Sequence, residues 1–399
     1  MSANKSTHVS LAGTAVATPV LTAVDVRTIG KSVILVLYLP MSVRPSIIGS
    51  CSEQALLSTL ELSVEVVFMS VISELDFQTV HVAVIVPTYT FDRLETLRKC
   101  LHGIFDNSRQ PDEIVVVVDR NISLFELLEH EPLGSNVRVM LSEGRGVCPA
   151  RNTGAGVCES EILIFIDDDV FPDRDWIANM TAMLCRDSVA GAGGKILPDY
   201  VEGVRELPSE ILWVVGCTYR GHPEGDVPIT RPIGSTMAFR RDVFVEVGGF
   251  DSRFGPASAR RTSSNEELVL SENIRQRFGP DVIRYQPESI VYHRVPESRT
   301  TLRYLIQRSW VEGTSKAEVR SSNVRGVLDH DQQYLFGTML PGMARYLFSG
   351  SRSGIKAALQ LMIVMCVTAA GYLTYRISSQ LRTDSAQGSV ADQTKRLEN

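Results

Sequence analysis

Ile162-Leu163-Ile164-Phe165-Ile166-Asp167-Asp168-Asp169 sets five consecutive apolar residues directly against three carboxylates. A run that is apolar at every position, rather than at every second one, suits a strand covered on both faces, as in a parallel sheet. Three adjacent carboxylates repel one another unless a cation or hydrogen bonds neutralise them, so the end of this strand is a candidate metal site. Oxygen ligands suit Mg²⁺ or Mn²⁺, and such an ion can bridge two phosphates. An acidic triplet can also face solvent or cap a following helix, but its place after a buried strand favours the ligand reading.

The same grammar continues upstream. Apolar bursts alternate with amphipathic stretches: strand Val82–Val86, helix Leu94–Phe105, strands Glu113–Val118 and Val137–Leu141, and helix Cys148–Cys158. This alternation predicts an open α/β domain with helices on both faces of the sheet, and ligands in such sheets lie beyond the carboxyl ends of the strands. The polar residues that end the strands are therefore candidates: Pro87-Thr88-Tyr89, Asp119 and the acidic triplet. Gly146 to Gly154 leads into the helix before the acidic strand, where Arg151 can neutralise phosphate or hold a ribose and Asn152 can reach the acidic strand end. An exposed arginine on a helix is the plain alternative. Downstream, the pattern predicts strands around Val214–Tyr219 and Ser235–Phe239, a turn at Gly248-Gly249, a helix from about Glu266 to Arg277, and His293 after an apolar strand.

The chain has 399 residues, 44% of them hydrophobic, which is enough for a substantial core. A net charge of -6 gives no general attraction for nucleic acid, so no nucleic-acid partner is expected. Seven scattered cysteines form no CxxC pair, which argues against a zinc site or a disulfide framework. Thiols in apolar surroundings, such as Cys366, are expected to be buried and reduced. Residues 1–80 carry no readable function. Their apolar bursts Val33–Tyr38 and Ala55–Ser70 are too short, or too interrupted by Glu61 and Glu65, to span a bilayer, no signal peptide is expected, and the working chain is expected to start near Met69. Near the other end, Ala357–Tyr375 is an apolar run of membrane-helix length framed by Lys356 and Arg376, and Tyr334–Phe348 suits a membrane surface. A buried core helix is the alternative for the longer run.

The ordered set Val84-Ile-Val-Pro-Thr-Tyr89, Val117-Val118-Asp119, Pro149-Ala-Arg-Asn-Thr-Gly154, Phe165-Ile-Asp-Asp-Asp169 and Val247-Gly-Gly-Phe-Asp251 closely resembles family 2 glycosyltransferases of the GT-A fold. The likeness runs from roughly Val82 to Lys316. More narrowly, Trp213 to Gly221, Gly234 to Arg241 and Arg299 to Lys316 look like glucosyl-dolichyl phosphate glucuronosyltransferases of archaeal protein glycosylation. The resemblance implies a Rossmann-like, mostly parallel sheet and inverting, metal-dependent transfer of a sugar from a nucleotide diphosphate to an acceptor hydroxyl. It implies that Pro87, Thr88, Tyr89, Arg93, Asp119, Arg151, Asn152, Asp167 and Asp168 serve the donor, and that Asp167, Asp169 and His293 hold Mn²⁺ or Mg²⁺. Where the family commonly has Asp-Gly-Ser after the second strand, this chain has Asp119-Arg120-Asn121.

Inversion needs a base that takes the acceptor's proton. The family's usual Glu-Asp pair is replaced by Glu266-Glu267, with Glu267 the expected base and Glu266 its neighbour; glutamates opening a helix also complement its dipole without catalysis. Trp213, Tyr219 and His222 are candidates to face the acceptor, and Gly234 and Ser235 to let it approach the backbone closely. The layout expected is an extension over 1–80, a GT-A domain over 81–316, a linker and membrane-surface region over 317–353, a transmembrane helix over 354–376 and a polar tail over 377–399. The partners expected are a nucleotide-diphosphate sugar, a lipid-linked or other glycan acceptor and the cell membrane, spanned once with the catalytic domain on the cytoplasmic side.

Three other enzyme readings and one non-enzyme reading compete. A haloacid-dehalogenase-type phosphohydrolase would need Thr or Val where Phe171 stands. A nucleotidyltransferase would need a glycine-rich basic loop in place of Tyr89 to Arg93. A processive synthase would need several membrane helices and a Gln-x-x-Arg-Trp element, whereas Gln307-Arg308-Ser309-Trp310 has other spacing. The non-enzyme reading is an inactive membrane-anchored carbohydrate-binding or scaffold protein, which leaves Asp169, Glu267 and His293 without a purpose.

Overall fold

A computed structural model describes residues 8–9, 23–29, 32–38, 79–253, 266–321 and 329–397. The burst Ala55–Ser70 and the start expected at Met69 lie outside the described residues. The chain divides into two units, 1–72 and 73–399. In the first, β1 (His8–Val9), β2 (Ala23–Ile29) and β3 (Ser32–Tyr38) form an antiparallel sheet in that order.

The second unit is organised by an eight-stranded sheet of β4 (Val82–Thr88), β5 (Glu113–Val118), β6 (Val137–Leu141), β7 (Ile162–Ile166), β8 (Val170–Pro172), β9 (Gly191–Tyr200), β10 (Thr236–Arg240) and β11 (Ile283–Val295). Its order is β6-β5-β4-β7-β10-β9-β11-β8. β6, β5, β4 and β7 are mutually parallel, β10 runs antiparallel to β7 and β9, and β11 is parallel to β9. This mixed, mostly parallel α/β sheet is the Rossmann-like architecture the sequence predicts.

Successive residues of one strand feed opposite cores, which is why the strands are apolar throughout. Val82, Val84 and Val86 of β4 pack with α1 (Leu94–Phe105), α2 (Ile122–His130) and α4 (Trp176–Leu184), whereas Ala83 and Ile85 pack with α3 (Val147–Val157), α5 (Arg241–Glu246) and α6 (Glu266–Phe278). Each such buried aliphatic side chain contributes about 1.5–3 kcal/mol. A Cβ at Gly154 would lie 2.6 Å from Ile85 Cγ2, so only glycine lets α3 settle this close to the sheet.

Beyond β11, α7 (Leu302–Ser321), α8 (Asp329–Tyr334), a π-helical turn Leu335–Met339, α9 (Leu340–Phe348) and α10 (Arg352–Leu397) complete the unit. α10 crosses α7 where glycines replace side chains: a Cβ at Gly313 would be 2.1 Å from Thr368 O, and one at Gly371 2.6 Å from Trp310 O. Within α10, Ala358, Leu361 and Val364 are buried, whereas Ile355, Leu359, Met362, Leu373 and Ile377 are exposed. Only one stripe of this helix is packed, unlike a core helix, and its Arg352–Gln380 portion is long and apolar enough to cross a membrane.

Two sequence expectations are overturned. Val214–Tyr219 is not a strand: Ser209–Val215 forms a 3-10 turn ended by Gly216 at φ 76°. Ile211, Val214 and Val215 point into the core at helical spacing, so the apolar burst has a period nearer 3.6 than 2. Cys366 is exposed on the unpacked face of α10, whereas Cys100, Cys148, Cys158 and Cys217 are buried as expected of unpaired thiols.

Candidate active site

The carboxyl ends of β4, β5 and β7 open into a cavity of about 1410 Å³. Pro87, Thr88 and Tyr89 end β4 there, Asp119 follows β5, and Asp167 and Asp168 follow β7. Arg93, in the turn that leads into α1, joins them. Thr88 donates its hydroxyl proton to Asp168 Oδ2 at 2.7 Å, and Arg93 Nη1 donates to Oδ1 at 2.5 Å. Burial pushes the Asp168 carboxyl up to about 6, with Arg93 and Thr88 opposing the rise and Asp169 adding to it. Tyr89 is half exposed beneath the Arg93 guanidinium, 5.2 Å from its ring centre, and offers a flat face at the strand end.

Asp119 Oδ2 accepts from Gly146 N at 2.9 Å, which ties the β5 end to the start of α3. Arg120 holds φ at 53°, in the left-handed region where glycine is at ease. Asn121 caps α2 by accepting from Leu124 N. The Asp-Arg-Asn departure thus keeps the turn, with Arg120 in the conformation glycine would take and Asn121 in the capping role that serine can fill.

α3 carries Arg151 inward, where it is buried at 3% exposure. Its Nη2 donates to Asp167 Oδ1 and Gly234 O, each at 3.0 Å, and its Nη1 lies 3.4 Å from Glu266 Oε1. Arg151 therefore joins the acidic strand end, the β10 approach and the first residue of α6. Glu266 is buried and Glu267 half-buried at the cavity wall. Burial raises both carboxyls, and Arg151 counters the rise in each. Two close carboxylates titrate as a unit, and a raised pair can hold or release a proton nearer neutrality than a surface glutamate. Glu267 lies so close to Gly234 that a Cβ there would be 2.0 Å from its Oε1.

Among the described residues, Asp119 Oδ1, Arg151 Nε and Glu266 Oε2 are buried without a hydrogen-bond partner. Buried polar atoms rarely stay so, and their grouping in one cleft suits a polar ligand. Trp213, Tyr219, His222, Gly234 and Ser235 line the same cavity. Trp213 Nε1 donates to Tyr334 Oη at 3.1 Å, and Tyr219 packs edge-on to Tyr334 and His222, so this wall is anchored to the segment before α9.

Three of the sequence candidates do not face the cavity. Asn152 does not reach the acidic strand end: its Nδ2 donates to Phe250 O at 2.8 Å and its Oδ1 accepts from Phe250 N at 2.9 Å. It clasps the loop that follows Gly248 and Gly249, whose φ values of 83° and 69° turn the chain towards it. Asp169 and His293 are not in the lining itself but directly next to it, with Asp169 Oδ2 3.2 Å from Nη2 of the cavity-lining Arg93, and they are drawn together because β8 pairs with β11 in a register that sets His293 against Val170.

His293 Nε2 is 3.4 Å from Asp169 Oδ1, and both side chains meet Arg299, a residue to which the sequence reading gives no role. Arg299 Nη2 donates to Asp169 Oδ2 and Nη1 to His293 Nε2, each at 2.9 Å. A guanidinium has only donors, so Nε2 accepts and its lone pair points at the same cation as the carboxylate. Burial opposes ionisation of Asp169, but the Arg93 and Arg299 guanidiniums beside it hold the carboxyl well below the usual range. Arg299 thus bridges the two residues expected to hold a divalent ion. One carboxylate and one imidazole, with substrate phosphates, are donors of the kind Mn²⁺ or Mg²⁺ takes. Asp167 is turned to Arg151 instead, and among the described residues no three His, Cys, Asp or Glu side chains converge as ligands.

Sequence reasoning also gave no role to Arg308, Glu312 and Lys316, which line the cavity from α7. Their spacing of four was a visible sign of a common helical face.

A parallel sheet whose strand ends gather acids, a buried arginine and unsatisfied polar atoms in one cleft is the site of a nucleotide-using transferase. The profile described as Glycosyl transferase family 2 matches residues 83–248. The glucosyl-dolichyl phosphate glucuronosyltransferase of Haloferax volcanii is 34% identical over 241 residues, which cover 59% of this chain and 76% of that protein. The O-antigen biosynthesis protein RfbC of Myxococcus xanthus is 26% identical over 263 residues, 58% of this chain and 19% of that one. Among solved structures, a mannosyltransferase from Pyrobaculum calidifontis in complex with GDP-Man and Mn²⁺ superposes at a TM-score of 0.49 and 17% identity, over 74% of this chain and 87% of that one. The chain belongs to glycosyltransferase family 2, and its donor is a nucleotide sugar.

Proposed function

We propose that this transferase moves one sugar, with inversion, from a nucleotide diphosphate to a hydroxyl of a lipid-linked acceptor at the cytoplasmic face of a membrane. The observation that carries the reading is the continuity of one cavity from Asp167, Asp168 and Arg151, past Glu267, to Thr368 and Tyr372 of the apolar helix α10. A soluble acceptor has no use for an apolar helix in the wall of its site. Glucuronosyl transfer to a glucosyl-dolichyl-phosphate-like acceptor is the finer reading, supported by the Haloferax relative.

In this reading Thr88, Tyr89 and Asp119 flank the base and ribose, with Asp119 Oδ1 free to accept from a ligand hydroxyl. Arg151 and Arg93 face the diphosphate and offset its charge. Asp169 and His293 would hold the divalent ion, which when bound neutralises charge on the leaving diphosphate. Glu267 accepts the proton of the attacking hydroxyl, and Glu266, fixed by Arg151, sets its environment. Gly234 leaves the room in which Glu267 points at the acceptor. α10 fixes the domain to the bilayer as a single span, and the exposed Leu347 and Phe348 of α9 rest on its surface.

The test is a screen of nucleotide sugars for protection of the full chain against thermal unfolding, with and without Mn²⁺, since a ligand of the native state raises apparent stability. One nucleotide sugar that protects more strongly with Mn²⁺ is expected. Protection by none of them would leave the scaffold reading in possession.

A further inference from the structure

α7 turns charge inward and apolar surface outward. Arg308, Glu312 and Lys316 line the cavity, whereas Leu302, Ile306 and Trp310, also spaced by four, are 51%, 40% and 41% exposed. At about 100° per residue Ile306 stands roughly 120° round the helix from Glu312, so the exposed stripe and the charged face are distinct. A helix between a protein and water carries its charges on the outer face. Here three large apolar side chains, one of them an indole, take outer positions, with the exposed Arg303 at their border. Scattered exposed apolar residues are ordinary, but three in register on one helix face mark a surface that meets something other than water.

The neighbour of α7 identifies what the stripe meets. Gly313 lies against Thr368 of α10, and the Trp310 carbonyl lies against Gly371. Three residues back along α7 are thus three residues on along α10, so the two helices run side by side in opposite directions. The exposed Leu373 and Ile377 of α10 therefore lie towards the end of α7 that carries Ile306 and Leu302. Both belong to the Arg352–Gln380 portion that is long and apolar enough to cross a membrane. A bilayer that takes this face of α10 reaches the outer face of α7 as well. Tryptophan and arginine suit the boundary of such a layer, the indole at headgroup level and the guanidinium on lipid phosphate. We infer that Leu302, Ile306 and Trp310 form a membrane-seating surface whose partner is the lipid of the bilayer. This rests on the reading of α10 as a membrane helix and adds a second contact, which sets how the catalytic domain faces the bilayer.

The chain has three tryptophans, of which Trp176 is buried and Trp213 half-buried, so the fluorescence that Trp310→Phe removes reports Trp310. The test places the full chain in vesicles of phosphatidylcholine and phosphatidylglycerol, either plain or brominated in the acyl chain, where bromine quenches an indole on contact. The Trp310 component is expected to lose most of its intensity in the brominated vesicles. Leu302→Asp combined with Ile306→Asp should restore it, while flotation with the vesicles and protection by the nucleotide sugar stay unchanged. If the aspartate variant does not fold, wild type against Trp310→Phe decides. An unquenched Trp310 in a chain that floats overturns the seat and leaves α10 as the membrane contact. Shielding of Trp310 from acrylamide only at concentrations where the chain dimerises, without quenching by lipid, also overturns it and assigns the stripe to a second copy. A chain that does not float overturns the membrane reading of α10 and the seat with it. Quenching of Trp310 alongside transfer to soluble acceptors alone keeps the seat and removes the lipid-linked reading.

Discussion

Gly234→Ala is a small change with an uneven expected effect. The backbone at Gly234 is outside the left-handed region, so alanine is conformationally acceptable there. Its Cβ, however, would lie 2.0 Å from Glu267 Oε1, and ordinary contact begins near 3.4 Å, so the carboxylate must retreat by the difference of 1.4 Å. The end of a glutamate side chain moves that far at little cost, and the entropy lost by the unfolded chain offsets part of it, by about 0.4–1 kcal/mol. Stability should therefore change by less than about 1 kcal/mol. A misplacement of about 1 Å at a reacting group can cost on the order of 10²-fold in rate, and that is the loss expected in kcat. The assay is steady-state transfer of radiolabelled sugar, with nucleotide-sugar affinity measured separately and expected to be unchanged. Near wild-type kcat in a folded Gly234→Ala protein would refute the placement of Glu267 at the reacting hydroxyl.

Asp169→Asn should weaken Mn²⁺ and nucleotide-diphosphate binding together, whereas Arg299→Ala, by removing the cation that bridges Asp169 and His293, should tighten Mn²⁺ binding about tenfold without nucleotide. Titration of Mn²⁺ into each variant checks both, and unchanged affinities would contradict the metal reading of these residues. Asn152→Ala should lower stability by about 1–3 kcal/mol in urea unfolding, because the Phe250 amide and carbonyl lose their partner, while nucleotide affinity stays unchanged. A loss of affinity without a loss of stability would return Asn152 to the donor site. Burial raises the Glu267 carboxyl, so its proton is retained to higher pH than on a surface glutamate, and a base works only after losing it. The rate should rise with pH through a midpoint above 4.5, and a midpoint at or below that value in the pH–kcat profile would contradict the buried environment.

The parallel strands β5, β4 and β7 were legible because their physics is local. Ile162–Ile166 is apolar at every position, and β4 and β5 repeat the pattern, so strand type, sheet type and the ligand end all followed from consecutive residues. Val214–Tyr219 was misread as a strand because an apolar burst of a few residues satisfies both periods, and the core contacts that choose between them come from distant elements. Asn152 was misplaced for a related reason: its partner, Phe250, is 98 residues away, and only the turn at Gly248 and Gly249 brings it close. Arg299 was quoted within a matching stretch but given no role, because its meaning depends on the β8–β11 register, which no local pattern encodes. Cys366 shows the limit of composition, since an apolar helix with one packed stripe exposes residues that a core helix would bury.

The most direct measurement compares Glu267→Gln with wild type for nucleotide-sugar binding and for transfer to a prenyl-phosphate-linked sugar. The exchange keeps the side chain's size and removes its capacity to accept a proton. Unaltered donor and metal binding with transfer reduced by about 10²-fold or more is the result this account predicts. Transfer within a few-fold of wild type would contradict it and would place the base elsewhere in the cleft.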